Sequence, residues 1–215
     1  MIIPHTIVDN FFISPDKIKE YGLSLPFTKA SDNIWPGERT ACLSTINKTL
    51  YNSINLKVTS LFFDYTEKPV SFGCNLYFQK ISSIYEEGWV HQDPNDITFI
   101  IYLNPNAHTD EGTSIYLAKD VGYDSLTYQT QKHSSFANTD LIPEYRNLRR
   151  EHNSHFVETM RVSNLYNRLF AFDGYSYHAA GQFAAHDEPR LTLIGFITNI
   201  SRTDTPIRRT ETIAL

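Results

Sequence analysis

The sequence predicts a mainly β fold, a jelly-roll sandwich with flanking helices, and three observations predict it. Short segments rich in aromatic and β-branched residues recur between turn residues over much of the chain. One of them, Ile97 to Leu103, is almost continuously apolar, as befits a strand covered on both faces. Ahead of these strands, apolar residues instead follow a helical spacing.

Taken in order, Ile2 to Phe12 alternates loosely and supplies a first strand. Ser14-Pro15 opens a short helix through Asp16 to Gly22, with Ser14 as N-cap, Pro15 in the first turn and Gly22 at the stop. Ile46, Leu50, Ile54, Val58, Leu61 and Phe62 share one face of an amphipathic helix. Strands follow at Cys74–Ile81, Ile97–Leu103, Thr113–Leu117, Arg168–Phe172, Tyr175–Ala179 and Arg190–Ile197. Asn104-Pro105-Asn106 ends the second of these. Between Ala118 and Asn167 the rhythm breaks into a polar stretch, partly helical over Glu144–Met160. A long insertion between strands reads either as a lid over a substrate or as a peripheral loop. The expected organisation is one domain over 1–215: an N-terminal support over 1–70, jelly-roll strands in 74–117 and 168–200, and an insertion over 118–167.

Composition narrows the classes. Of 215 residues 41% are hydrophobic, enough for a sizeable core. With 24 acidic and 19 basic side chains, the net charge of −5 gives no general attraction for nucleic acid or acidic membranes. Cys42 and Cys74 fit neither a disulfide framework nor a zinc knuckle, which points to a reducing compartment. No signal-peptide pattern or membrane-length apolar run is legible, so a soluble cytoplasmic protein without a membrane partner is expected.

Chemistry concentrates in two places. In an extended His91-Gln92-Asp93, residues i and i+2 share a face, so an imidazole and a carboxylate can bind one metal side by side. With a remote histidine they make a facial triad that leaves the other metal positions open. A second pair, His108 and Asp110, lies in a turn-rich stretch and reads as surface. The candidate for the remote ligand is His178, which follows the apolar strand Leu169–Phe172 and a tight turn. Further on, Arg190 heads a buried strand, where a guanidinium is costly unless it meets an anion. Its planar fork suits a carboxylate, and Thr192 lies on the same face. An internal ion pair is the other reading of Arg190.

The order His91-x-Asp93, Tyr102-Leu103-Asn104, Glu111-Gly112-Thr113, Phe172-Asp173-Gly174 to His178, then Arg190-x-Thr192 resembles the Fe(II)/2-oxoglutarate-dependent oxygenases. Within them it most resembles the prolyl-4-hydroxylase-like group with its phage and bacterial members. The resemblance spans roughly Leu76 to Ile197. It implies a double-stranded β-helix, the cupin-like jelly roll, with Fe(II) on His91, Asp93 and His178. It also implies 2-oxoglutarate held by Arg190 with Tyr102 and Thr192, and O2 as co-substrate. The activity implied is hydroxylation of a peptide or small molecule with release of succinate and CO2, in a host cytoplasm for a phage protein. Gly112-Thr113 departs from the glycine pair usual in the group. The insertion also lengthens the separation of the two histidines to 87 residues (178 − 91).

Trp35 and Arg39 read as a surface turn with a paired arginine or as residues facing the substrate; Tyr77 reads as core or as pocket wall. Two other functions stay open: a cupin-like metal enzyme that does not use 2-oxoglutarate, and a non-catalytic jelly-roll binding protein. Substrate identity and oligomeric state are not legible.

Overall fold

The computed structural model describes residues 3–30, 34–66, 68–120, 122–123, 128–183 and 188–202; Ile2, where the first expected strand begins, lies outside them. In chain order the elements are β1 (Thr6–Val8), α1 (Pro15–Leu23), β2 (Thr28–Lys29), β3 (Glu38–Arg39), α2 (Leu43–Ile46), α3 (Lys48–Thr59), β4 (Gly73–Ile81), β5 (Ile97–Tyr102) and β6 (Thr113–Ala118). Then come α4 (Gln129–Ala137), α5 (Ile142–Ser154), β7 (Phe156–Val162), β8 (Leu169–Asp173), β9 (Tyr177–Ala180) and β10 (Arg190–Thr198). A seven-stranded antiparallel sheet in the order β1-β8-β5-β10-β4-β3-β2 faces a three-stranded sheet, β7-β6-β9.

The helix signals are partly local. Pro15 opens α1, but the Ser14 hydroxyl makes no capping bond. Asn47 does cap α3, its side chain accepting from Leu50 N at 3.0 Å, so this helix begins two residues later than the periodicity suggests. Ile54, Val58 and Phe62 are buried as the spacing predicts, while Ile46 is exposed.

The larger sheet is buried on both faces, which explains the unbroken apolar run of β5. Ile97, Phe99 and Ile101 pack with Leu76, Phe78, Leu191 and Leu193 against α3 residues Ile54 and Val58. The alternate residues Ile100 and Tyr102 point the other way, to Ile115 and Val162 of the small sheet and Phe170 and Phe172 of β8. This inward face runs on through Tyr77 and Gln79 of β4 and Arg190, Thr192, Ile194 and Phe196 of β10.

Gly195 shows how tightly the helical side is filled: a Cβ there would lie 2.1 Å from the Phe99 ring. Gly195→Ala is therefore expected to destabilise the fold by about 1–3 kcal/mol, read as a lower denaturant midpoint at unchanged slope.

The polar stretch is partly helical, as expected, but helix α5 ends at Ser154 and Phe156–Val162 is strand β7 of the small sheet. Its burial pattern has only its two ends inside, which hides the alternation that would mark it. The two-residue strands β2 and β3 also escape sequence reading.

Candidate metal centre

His91 and His178 are brought together by backbone pairing. His91 N donates to His178 O at 3.0 Å and His178 N to His91 O at 2.8 Å, an antiparallel bridge that sets the two residues directly opposite. Their ring centroids are 4.4 Å apart. Asp93 N donates to Gly174 O at 2.8 Å, fixing the carboxylate beside them. His91 Nε2 lies 3.7 Å from Asp93 Oδ1, and His178 Nε2 lies 3.2 Å from Asp93 Oδ2. One ligand atom from each of the three residues falls within 4.8 Å of the others.

The donor set fits a metal in protonation as well as position. His91 Nδ1 is 2.8 Å from Trp89 O, and His178 Nδ1 is 2.8 Å from Ser176 O. A carbonyl only accepts, so each Nδ1 carries the proton and each Nε2 keeps its lone pair towards Asp93. Burial holds the His91 imidazole well below the usual histidine range, helped by the Lys132 ammonium and by His178, with Asp93 opposing. Burial pushes the Asp93 carboxyl up, but His178, His91 and the Thr98 hydroxyl outweigh it and hold it below the usual carboxylate range. Thr98 donates to Asp93 Oδ2 at 2.8 Å and accepts from Asn95 Nδ2 at 2.9 Å, a relay that orients the carboxylate. His178 is buried, whereas the His91 side chain is 36% exposed, so the centre opens on the His91 side.

Further along the inward face is a second polar group. Arg190 is 4% exposed and its Nε has no hydrogen-bond partner among the described residues. Its Nη2 lies 3.4 Å from Thr113 Oγ1, which also accepts from the Tyr102 hydroxyl at 2.9 Å. The guanidinium sits 5.5 Å over the Tyr102 ring and 5.8 Å over Phe183. Burial lowers its pKa, with Tyr102 and Glu111 opposing. Thr192 is buried and in register with Tyr102 on the neighbouring strand. His108 and Asp110, by contrast, are exposed and away from the triad.

Arg39 departs from the surface-turn reading. Its guanidinium stacks 4.4 Å over Trp35, 5.5 Å over Tyr77 and 5.2 Å over Phe196, with Nε unpartnered. Burial lowers its pKa to about 10, and Asp93 is the acid that resists. Tyr77 is half-buried beneath it.

A cavity of about 300 Å³ opens onto His91 and Asp93, walled by Trp89, Tyr128, Lys132 and Tyr175. His152 closes its back: Nε2 donates to Val90 O (2.7 Å), so Nδ1 accepts from the Tyr123 hydroxyl (3.0 Å). Thr98 was findable as the first inward position of β5. Lys132, in a polar stretch without periodicity, carries no signal that would mark it.

Helix α5 is pinned beside this cavity by ion pairs. Arg149, 4% exposed, reaches Glu86 at 2.6 Å and Glu87 at 3.3 Å, and Arg146 reaches Glu86 at 2.5 Å. The Arg146 and Arg149 bonds hold the Glu86 carboxyl below its usual range against the effect of burial. A carboxyl lowered on folding contributes stability above its unfolded pKa and loses it as pH falls through the folded value. Acidification below about pH 4.5 is therefore expected to loosen α5, and Glu86→Gln to cost about 2 kcal/mol at pH 7 while flattening that acid dependence, both measured by denaturation across pH.

A family model described as a family of unknown function (DUF6445) matches residues 3–197. No curated protein matches the sequence. Among solved structures, a prolyl hydroxylase from Trichoplax adhaerens, in complex with a hypoxia inducible factor peptide fragment, is similar over 90% of this chain and 83% of its own (TM-score 0.53, 12% identity). HygX from Streptomyces hygroscopicus, with nickel and 2-oxoglutarate bound, is similar over 91% and 83% (TM-score 0.54, 9% identity). The epimerase SnoN from nogalamycin biosynthesis, with Fe3+, α-ketoglutarate and nogalamycin RO, is similar over 91% and 78% (TM-score 0.53, 10% identity). The fold is thus a double-stranded β-helix, shared with these structures. Among the described residues no helix is long and apolar enough to cross a membrane.

Proposed function

Because the chain belongs to the DUF6445 family, its activity has to be read from the site, and we propose that it is an Fe(II)- and 2-oxoglutarate-dependent dioxygenase that hydroxylates a small molecule or peptide. The observation that carries this reading is Arg190, a buried guanidinium with an unpartnered Nε in the same barrel as a His-Asp-His set. A metal site alone fits many cupin-like enzymes. A triad plus a buried cation beside two hydroxyls fits a dicarboxylate that spans them.

His91, Asp93 and His178 would hold Fe(II), leaving positions for a chelating co-substrate and oxygen. Arg190, with Tyr102 and Thr192 beside it, would bind the far carboxylate of 2-oxoglutarate. When bound, iron and 2-oxoglutarate supply the oxidant, with succinate and CO2 as by-products. The chain's own part is positional. The Trp89 and Ser176 carbonyls keep both Nδ1 protons in place, Thr98 steadies Asp93, and Trp89, Tyr128 and Tyr175 wall the cavity beside them.

The test is to add 2-oxoglutarate to anaerobic Fe(II)-loaded protein. A visible metal-to-ligand charge-transfer band is expected, with succinate release on admitting oxygen. Metal retained without a band would leave the cupin-like reading standing and overturn this one.

A further inference from the structure

Resting on the reading above, charge bookkeeping in the cavity points to the kind of molecule that is oxidised. Among the described residues that line it, Asp93 is the acid and Lys132 the cation. With Asp93 given over to the metal, no acid among these lining residues is left to balance Lys132. Burial lowers its pKa to about 8, with Asp93 the acid that resists. Once Asp93 is committed to the metal, an anion beside Lys132 would take over that opposing role and favour the ammonium. Arg39 adds a second cation near Asp93, its Nε without a partner and its faces covered by aromatic rings.

Lys132 is placed there by the fold. It projects from α4, whose Phe136 packs with Tyr85 and Trp89, and α5 behind it is pinned by Arg149 to Glu86. Trp89, 4% exposed, and Tyr128, with ring centroids 6.5 Å apart, form an apolar wall of the same cavity. A half-buried cation beside aromatic faces at the open side of a metal centre is built for a ligand with one negative group and an apolar or planar body.

We propose that the substrate oxidised here is a small anion, with its carboxylate or phosphate held by Lys132 and its carbon skeleton laid against Trp89 and Tyr128. A charge-assisted hydrogen bond of this kind gives roughly a 10- to 100-fold preference over a neutral molecule of the same shape.

The experiment uses anaerobic full-length protein saturated with Fe(II) and 2-oxoglutarate, whose charge-transfer band is recorded first. Phenylacetate, phenyl phosphate and phenylacetamide are then titrated separately by calorimetry. At least one anion is expected to bind tenfold or more tightly than the amide. That preference should vanish in Lys132→Met and persist in Lys132→Arg, which shows that the loss is of charge and not of folded helix. The tighter of the two anions identifies the group. The inference is overturned if the amide binds as well as both anions, if none of the three binds, or if Lys132→Met keeps the preference. Absence of the initial band instead overturns the cofactor reading itself, so the two failures are told apart on one sample.

Discussion

His178→Ala is expected to lose both metal and turnover. A hydrogen-bond partner of a metal ligand is worth roughly 10–100-fold in metal affinity, so removing a ligand should cost more than about 100-fold. The backbone bridge to His91 does not use the imidazole, so what is lost is the ring contacts with His91 at 4.4 Å and Phe172 at 4.7 Å and the bond to Ser176 O. The variant should therefore keep its circular dichroism spectrum while failing to retain Fe(II) through gel filtration. Wild-type metal content in the variant would sink the assignment of this residue.

The second large effect is expected at Arg190. Replacing it with methionine removes the cation for the co-substrate carboxylate, and losing one partner of a buried charge pair costs about 2–5 kcal/mol. The concentration of 2-oxoglutarate needed for half-maximal succinate release should rise roughly 30- to 4000-fold. The protein without co-substrate should respond in the opposite sense. There Arg190 is a buried cation with an unpartnered Nε, and methionine of similar volume relieves that cost. A midpoint of unfolding unchanged or raised, coupled to lost stabilisation by 2-oxoglutarate, is the expected signature. An equal fall in stability with and without 2-oxoglutarate would make Arg190 a structural residue only.

The sheet strands were legible because their signals are local: β4, β5, β6, β8 and β10 each carry an apolar or alternating run bounded by turn residues. Strand β7 was not, since its middle faces solvent and it follows a polar helix with no apolar break. The triad was readable from spacing, but not the reason it forms. That lies in a two-residue bridge and in the Trp89 and Ser176 carbonyls, which no sequence pattern announces. Two readings of Arg39 stayed open because, besides the nearby Trp35, the rings it stacks on come from β4 and β10, contacts made only by the folded sheet. Lys132 was invisible for the same reason. Its meaning depends on what α4 is laid against, not on what surrounds it in the chain.

The edges of the two sheets have a consequence for how the molecule behaves in company. The seven-stranded sheet ends in β1, three residues long, and β2, two residues long and carrying Lys29. Edge strand β7 of the small sheet is longer, but it displays Glu158 and Arg161, paired at 2.7 Å. Short or charged borders give a foreign strand little to zip onto, which guards against self-association through open backbone. Trimming the chain through Val8 would remove one of these guards, exposing the apolar β8 backbone from Leu169 to Phe172 as a template for aggregation.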